Sequence, residues 1–132
     1  MAGLIQSEIN KILTGYFKDT QYTTPNNLYL GLYTDNPLAG NKEASYSGYD
    51  RIPLTNKMGS PANGSITNNE QLIFNEKTDS GSVNITHFAI CKNNTKGDDS
   101  SILFVGEFVS PITVEQNYAV VIEAGSLKVI FS

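Results

Sequence analysis

Residues that commonly carry catalytic chemistry are scarce in this sequence. It contains one cysteine, Cys91, one histidine, His87, and no tryptophan. A single cysteine excludes an internal disulfide and a cluster of thiolate metal ligands. His87 precedes Cys91 by four residues on a predicted strand, and four strand residues span roughly 13 Å, too far for a nucleophile and its base to share a hydrogen bond. We therefore expect no enzyme activity and no cofactor.

Positive charge and long apolar runs are also scarce. Nine Lys and Arg residues stand against thirteen Asp and Glu, which gives a formal net charge of -4. The basic residues are scattered, whereas nucleic-acid binding needs them clustered. No apolar run approaches the length of about 20 residues that spans a membrane, and residues 1–6 lack the basic region and apolar core of a signal peptide. We expect synthesis in the cytoplasm, with neither a nucleic acid nor a membrane as partner.

Motifs for phosphate and metal binding are absent or incomplete. The sequence has no Walker-type loop and no Gly-x-Gly-x-x-Gly after a strand. The loop with Asn93, Asn94, Asp98 and Asp99 offers oxygen ligands, but it lacks the alternating spacing and the distal Glu of a calcium loop. A solvated turn is the interpretation that we favour, and no metal site is predicted.

The composition and the first residues indicate a β-rich domain with one helix. A chain of 132 residues suits a single domain, 1–132, and its many Asn, Ser, Thr and Gly residues favour turns. An amphipathic helix is predicted at about residues 4–17, with Glu8 and Lys11 off its apolar stripe. That stripe consists of Leu4, Ile5, Ile9, Ile12, Leu13, Tyr16 and Phe17.

Short segments with a period of two follow from residue 27 to residue 131. Leu28, Leu30 and Leu32 share one face of the first strand, and Tyr29 and Tyr33 share the other. We predict an antiparallel β-sandwich, jelly-roll-like, with a long loop at 57–69. The predicted strands cover 28–33, 44–54, 71–74, 83–91, 102–108, 112–114, 118–124 and 127–131, with turns at 92–100 and 125–126.

Three residues are predicted to contact a partner: Tyr46, Tyr49 and Arg51. They lie close together in a segment with the character of an edge strand. Tyr and Arg are enriched at interface hot spots because they bring large contact area and a polar tip. The alternative is that one Tyr packs in the core and Arg51 forms only a salt bridge. Tyr46 and Tyr49 could also stack against sugars.

The chain resembles a family of small virion proteins from tailed bacteriophages, described as tail-fibre-like or as head decoration (cement) proteins. It departs from that family in having no Trp ahead of the Thr-His-Phe segment or beside the Phe of the Leu-Phe strand. The matching segments run in the same order along nearly the whole chain: residues 28–37 (LYLGLYTDNP), 47–51 (SGYDR), 85–90 (ITHFAI), 103–106 (LFVG) and 124–129 (AGSLKV).

The resemblance implies a structural protein of the phage virion, made in the cytoplasm of the host bacterium. Of the two roles, we predict a capsid decoration protein that binds the major capsid protein or other virion proteins as a homo-oligomer, a dimer or a trimer. The alternatives are a tail fibre or baseplate-associated protein and a carbohydrate-binding module for host attachment. The helix and the 57–69 loop could reach a neighbouring subunit, or the helix could simply cover one end of the sandwich.

Overall fold

A computed structural model describes residues 2–18 and 21–131 of the chain. It confirms a mainly β protein with one N-terminal helix, α1 (Gln6–Phe17). In this part of the chain, no helix combines the length and the hydropathy needed to cross a membrane. The strands are β1 (Ala2–Leu4), β2 (Tyr29–Tyr33), β3 (Ile52–Pro53), β4 (Ser65–Thr67), β5 (Leu72–Ile73), β6 (Val83–Cys91), β7 (Ile102–Val114), β8 (Val121–Ile122) and β9 (Lys128–Ile130).

The strands form one large sheet and one small one. The large sheet has seven strands in the order β3-β2-β6-β7-β1-β9-β4, and the small one pairs β5 with β8. Neighbours in the large sheet are antiparallel except β1 and β9, which are parallel. The turn predicted at 92–100 joins β6 and β7 as an antiparallel pair. This strand order does not confirm the jelly-roll-like connectivity.

Both faces of the large sheet are covered at its centre. Leu30 and Leu32 on β2 pack in the main core with residues of the small sheet such as Leu72. Tyr33 and Cys91 point to the opposite face and form a second cluster. Successive strand residues alternate between faces, as the period of two predicts, but here each face meets apolar partners.

The N-terminal helix is shorter than predicted because a strand precedes it. Residues 2–4 form β1, which lies between β7 and β9. The Ile5 amide donates to the carbonyl oxygen of Leu103 at 2.8 Å, so the backbone is still bonded to β7 where the helix begins. The prediction that the helix starts near residue 4 is therefore wrong by two residues.

Several other predicted boundaries also change. The 57–69 loop contains β4, which follows a tight turn where Asn63 and Gly64 both have positive φ, the pattern of an Asn-Gly hairpin. The segments 102–108 and 112–114 belong to one strand, β7, whose pairing with β6 shifts register between Ile85 and His87. Pro111 lies beside that irregularity, where its missing N–H breaks no ladder bond.

The predicted strands 44–54 and 118–124 shorten to β3 and β8. A turn in which the Tyr49 amide bonds to the Tyr46 carbonyl interrupts the first. The strand β8 pairs with β5, and β9 pairs with β1 and β4, so the two segments flanking the turn at 125–126 lie in different sheets.

Candidate interaction surfaces

The three residues predicted to contact a partner are buried within the chain. Tyr46, Tyr49 and Arg51 expose 5%, 1% and 5% of their surface. The Tyr49 ring meets the Tyr46 ring edge-on at 5.4 Å between centroids and stacks on Phe74 at 6.3 Å. Their role in partner contact stays a prediction. Because so little of each is accessible, a partner surface has to be sought elsewhere.

Arg51 and Glu43 form a buried, bidentate ion pair. Arg51 Nε donates to Glu43 Oε2 and Nη2 donates to Oε1, both at 2.8 Å. Tyr49 Oη donates to Glu43 Oε2 at 2.5 Å. Burial opposes the ionisation of Glu43, but the hydrogen bonds from Arg51 and Tyr49 outweigh it and lower the pKa of this carboxyl. Glu43 is therefore a satisfied carboxylate inside the fold.

The same ion pair holds the loop that joins β6 to β7. Arg51 Nη1 donates to Ser101 Oγ at 2.9 Å and to the Asn93 carbonyl at 3.1 Å. The Gly97 amide donates to Glu43 Oε1 at 2.6 Å. The ten-residue connection is thus tied to one guanidinium group at Asn93, Asp98 and Ser101, and the planar fork of donors suits such a multiple contact.

Of the oxygens considered for calcium, those of Asp98 and one of Asp99 accept hydrogen bonds, whereas Asp99 Oδ1 is buried without a hydrogen-bond partner among the described residues. Asp98 accepts hydrogen bonds from Ser100 and from Asn93, and Asp99 accepts one from the Asn41 amide. Within residues 2–18 and 21–131, no three or more His, Cys, Asp or Glu side chains are grouped to hold a metal ion.

His87 and Cys91 have separate surroundings. The Cys91 thiol is buried beside Tyr33 Oη at 3.7 Å, and burial raises its pKa. His87 Nδ1 lies 2.8 Å from Thr86 Oγ1, and its Nε2 lies 4.0 Å from Glu107 Oε2. A buried cysteine with a raised pKa stays a thiol at neutral pH and is a poor nucleophile.

An exposed apolar area lies on α1 and the end of β9. We call it the helix patch, and it consists of Leu13, Tyr16, Phe17 and Phe131. Their exposed fractions are 49%, 81%, 76% and 56%. Tyr16 and Phe131 line the same surface depression, and the rings of Tyr16 and Phe17 meet edge-on at 6.5 Å. Exposed apolar patches of this kind commonly mark interaction sites.

The α1 residues of the helix patch belong to the predicted apolar stripe, and the sequence leaves two roles open for that helix: reaching a neighbouring subunit, or covering one end of the sandwich. The buried residue of α1 is Glu8, which was placed off the apolar stripe. Glu8 accepts hydrogen bonds from Lys11 Nζ at 3.0 Å and from Tyr22 Oη at 2.7 Å, so its charge is compensated. Five of the seven stripe residues lie within the twelve-residue helix, and three of them, Leu13, Tyr16 and Phe17, are exposed.

Comparison with known proteins identifies the family. No curated protein matches the chain. A family model described as "Podophage GP4 fiber I protein gp80" matches residues 4–130, which is nearly the whole chain. The prediction of a small virion protein of a tailed phage, located in the virion, is confirmed. The chain belongs to the family of the podophage GP4 fiber I protein gp80.

Proposed function

We propose that this protein is a structural subunit of a phage tail fibre, which works by binding other virion proteins and not by catalysis. The family description, which names a fibre protein, supports this alternative better than the capsid decoration role that we predicted first. Cys91 contacts Tyr33, and His87 contacts Thr86, so the two side chains have different partners. This is consistent with a binding role.

The observation that carries the proposal is the helix patch. At about 150–250 Å² per aromatic side chain, the exposed fractions of Tyr16, Phe17 and Phe131 amount to roughly 400 Å² of apolar surface. A standard interface buries about 800 Å² on each partner, with an apolar centre and a polar rim. The helix patch is therefore large enough to form the centre of one such interface.

We take the occupant of the helix patch to be a second copy of this chain, in a dimer or a trimer. The patch has no charged member and lies mostly on one helix, so two copies can meet without complementary charges. In a two-fold arrangement the same surface of both copies is used, and one patch of roughly 400 Å² meets another. The fibre then contains oligomers of this subunit.

Oligomer size tests this arrangement. We expect the purified full chain to be a dimer or trimer by light scattering, and the double variant Tyr16→Ser/Phe17→Ser to be a monomer with an unchanged circular dichroism spectrum. The control is Ile73→Ser/Val121→Ser, which removes an exposed apolar cross-strand pair on the small sheet. A monomeric wild type, or a double helix variant that keeps its oligomeric state, would contradict the arrangement.

Position in the particle tests the fibre assignment. A gold-labelled tag on this protein, imaged by electron microscopy of intact virions, is expected on fibres near the tail. Label spread over the capsid lattice would instead restore the decoration role.

A further inference from the structure

A groove beside α1 has a lining unlike that of the helix patch. It has a volume of about 670 Å³ and lies between the helix and the segment 21–27, with Lys92 at one end. Pockets of about 300–1,000 Å³ are typical of sites for small ligands. Tyr22 ties the two walls together through its hydrogen bond of 2.7 Å to Glu8 on the helix.

The groove is lined mainly by neutral hydrogen-bonding side chains. Asn10 and Thr14 stand on the helix wall, and five amides and hydroxyls stand on the opposite wall. Within the described residues, the side chains on that wall make no hydrogen bond to other parts of the protein, so their donors and acceptors are available to a ligand. These side chains are Gln21, Thr23, Thr24, Asn26 and Asn27.

Amides and hydroxyls each combine donors with acceptors, as sugar hydroxyl groups do. The half-buried Tyr22 and Pro25 add two rings to the lining, and rings of this kind can pack against the C–H face of a sugar. A lining made mainly of uncharged side chains with donors and acceptors fits a saccharide better than it fits an apolar peptide anchor.

The groove also differs from the rest of the protein in charge. Its lining contains one carboxylate, Glu8, and two ammonium groups, Lys11 and Lys92, an excess of one positive charge in a chain of net charge -4. Lys11 is engaged by Glu8 at 3.0 Å. Lys92 is exposed and forms no ion pair within the described part of the chain, although its charge contributes to the lowered pKa of Glu8. Its ammonium group can therefore meet a negative group on a ligand.

We propose that this groove binds an oligosaccharide that carries a carboxylate, with Lys92 pairing with the acid and Asn26 bonding to sugar hydroxyls. The site goes beyond the structural role proposed above. Gln21, Tyr22 and Thr24 line both the groove and the depression that the helix patch borders, but Asn26 and Lys92 lie outside that depression, so their variants test the groove alone. A failure of saccharide binding would therefore leave the oligomer proposal unaffected, and the reverse also holds.

The first experiment screens the full-length protein against an array of bacterial oligosaccharides, neutral and acidic. The best acidic binder is then compared with its carboxyl-reduced derivative by calorimetric titration. We expect the derivative to bind the wild type severalfold more weakly, since an exposed ion pair contributes up to about 1 kcal/mol.

Matched variants identify the site. Lys92→Gln is expected to bind the acidic oligosaccharide and its reduced derivative equally, whereas Asn26→Ala is expected to weaken binding of both severalfold. Lys128→Gln and Asn94→Ala remove an exposed Lys and an exposed Asn outside the groove lining, and both controls should bind as the wild type does. Equal melting temperatures show that all four variants fold.

Three outcomes would overturn the proposal. They are an array with no acidic binder at millimolar concentration, binding that neither Lys92→Gln nor Asn26→Ala changes, and a reduced derivative that binds the wild type as tightly as the acid does.

Discussion

At the scale of single residues, Arg51 belongs to a type that is common at interfaces, but here it is buried in an ion pair with Glu43. The side chains of Arg51 and Glu43 are 0% and 4% exposed. Transferring two charged groups from water into the protein has a large desolvation free energy. Their attraction offsets it only where the geometry is good and the remaining donors and acceptors form hydrogen bonds. Here five partners share that pair: Tyr49, Asn93, Gly97, Asp98 and Ser101.

Replacing Arg51 with Ala is expected to destabilise the protein by about 3–5 kcal/mol, because Glu43 is left buried without its cation. Urea unfolding followed by circular dichroism measures the change. The matched control is Lys57→Ala, which breaks the exposed pair Lys57–Glu70 and should cost less than about 1 kcal/mol. If both variants lower the free energy of unfolding equally, the buried Arg51 pair stabilises the protein no more than an exposed pair does.

Gly31 is required by the close approach of three side chains. A Cβ at Gly31 would lie 3.0 Å from Glu43 Oε2 and 3.2 Å from both the Tyr33 ring and Tyr49 Oη. We expect Gly31→Ala to destabilise the protein by about 1–3 kcal/mol through overpacking.

The control for Gly31→Ala is Gly3→Ala on β1, where the added methyl group meets no atom within 4 Å. Its urea midpoint should equal or exceed that of the wild type. A Gly31→Ala protein with the urea midpoint of the wild type would mean that the side chains around residue 31 move aside without loss of stability.

At the scale of secondary structure elements, α1 is attached to the body through a polar contact and leaves apolar side chains outside. Its buried residue is Glu8, while Leu13, Tyr16 and Phe17 are exposed. Burial opposes ionisation of Glu8, but hydrogen bonds from Tyr22 and Lys11 outweigh it and lower its pKa. The exposed part of this apolar face is the helix patch, which we proposed above as the contact with another subunit.

Tyr22→Phe tests this attachment. Loss of the hydroxyl removes one of the hydrogen bonds that satisfy Glu8, and we expect a loss of about 1 kcal/mol in urea unfolding. Burial and the bond to Glu8 raise the pKa of Tyr22 from 10.0 to about 12, so its contribution is complete below pH 10 and declines as pH rises toward 12.

Tyr118→Phe is the control for Tyr22→Phe, because the Tyr118 side chain is 65% exposed. It should leave stability unchanged at every pH. A Tyr22→Phe protein as stable as the wild type at pH 7 would show that other contacts dock the helix.

At the scale of the whole molecule, the buried and bonded carboxylates determine how stability responds to acid. The pKa values of Glu8, Glu43 and Asp98 are all lowered in the folded protein. A group whose folded pKa is below its unfolded pKa contributes stability above the unfolded value and loses it as pH falls through the folded value. These three groups therefore act in the same direction.

We expect the free energy of unfolding to decline as pH falls below about 4.5, the ordinary pKa of Glu43. Glu43→Gln should be less stable than the wild type at pH 7, because Arg51 loses its anion, and should show a shallower decline in acid. Urea unfolding at a series of pH values from 7 to about 2.5 compares the two slopes. Parallel curves for the two proteins would contradict a lowered pKa for Glu43.

The sequence by itself determined the mainly β class, the N-terminal helix, the central strands and the virion family. These follow from local signals: a period of two in residues 28–33 and 83–91, a spacing of three and four in residues 4–17, and motifs in a fixed order. Strand β6 has the bounds that the pattern predicts. The Asn-Gly turn at residues 63–64 and the short strand β4 after it were not predicted, because the whole segment 57–69 was expected to be a loop.

Only the tertiary structure decided which side chains face outward. Tyr49 and Arg51 have the chemistry of contact residues, yet both are buried because the carboxylate of Glu43 binds them together with the amide of Gly97, which lies 54 residues further along the chain. The apolar stripe of α1 has the pattern of a core helix, yet its C-terminal members Leu13, Tyr16 and Phe17 are exposed, while Tyr22 and Lys11 compensate the charge of the buried Glu8. Such pairings depend on residues distant in sequence, and periodicity within one segment carries no information about them.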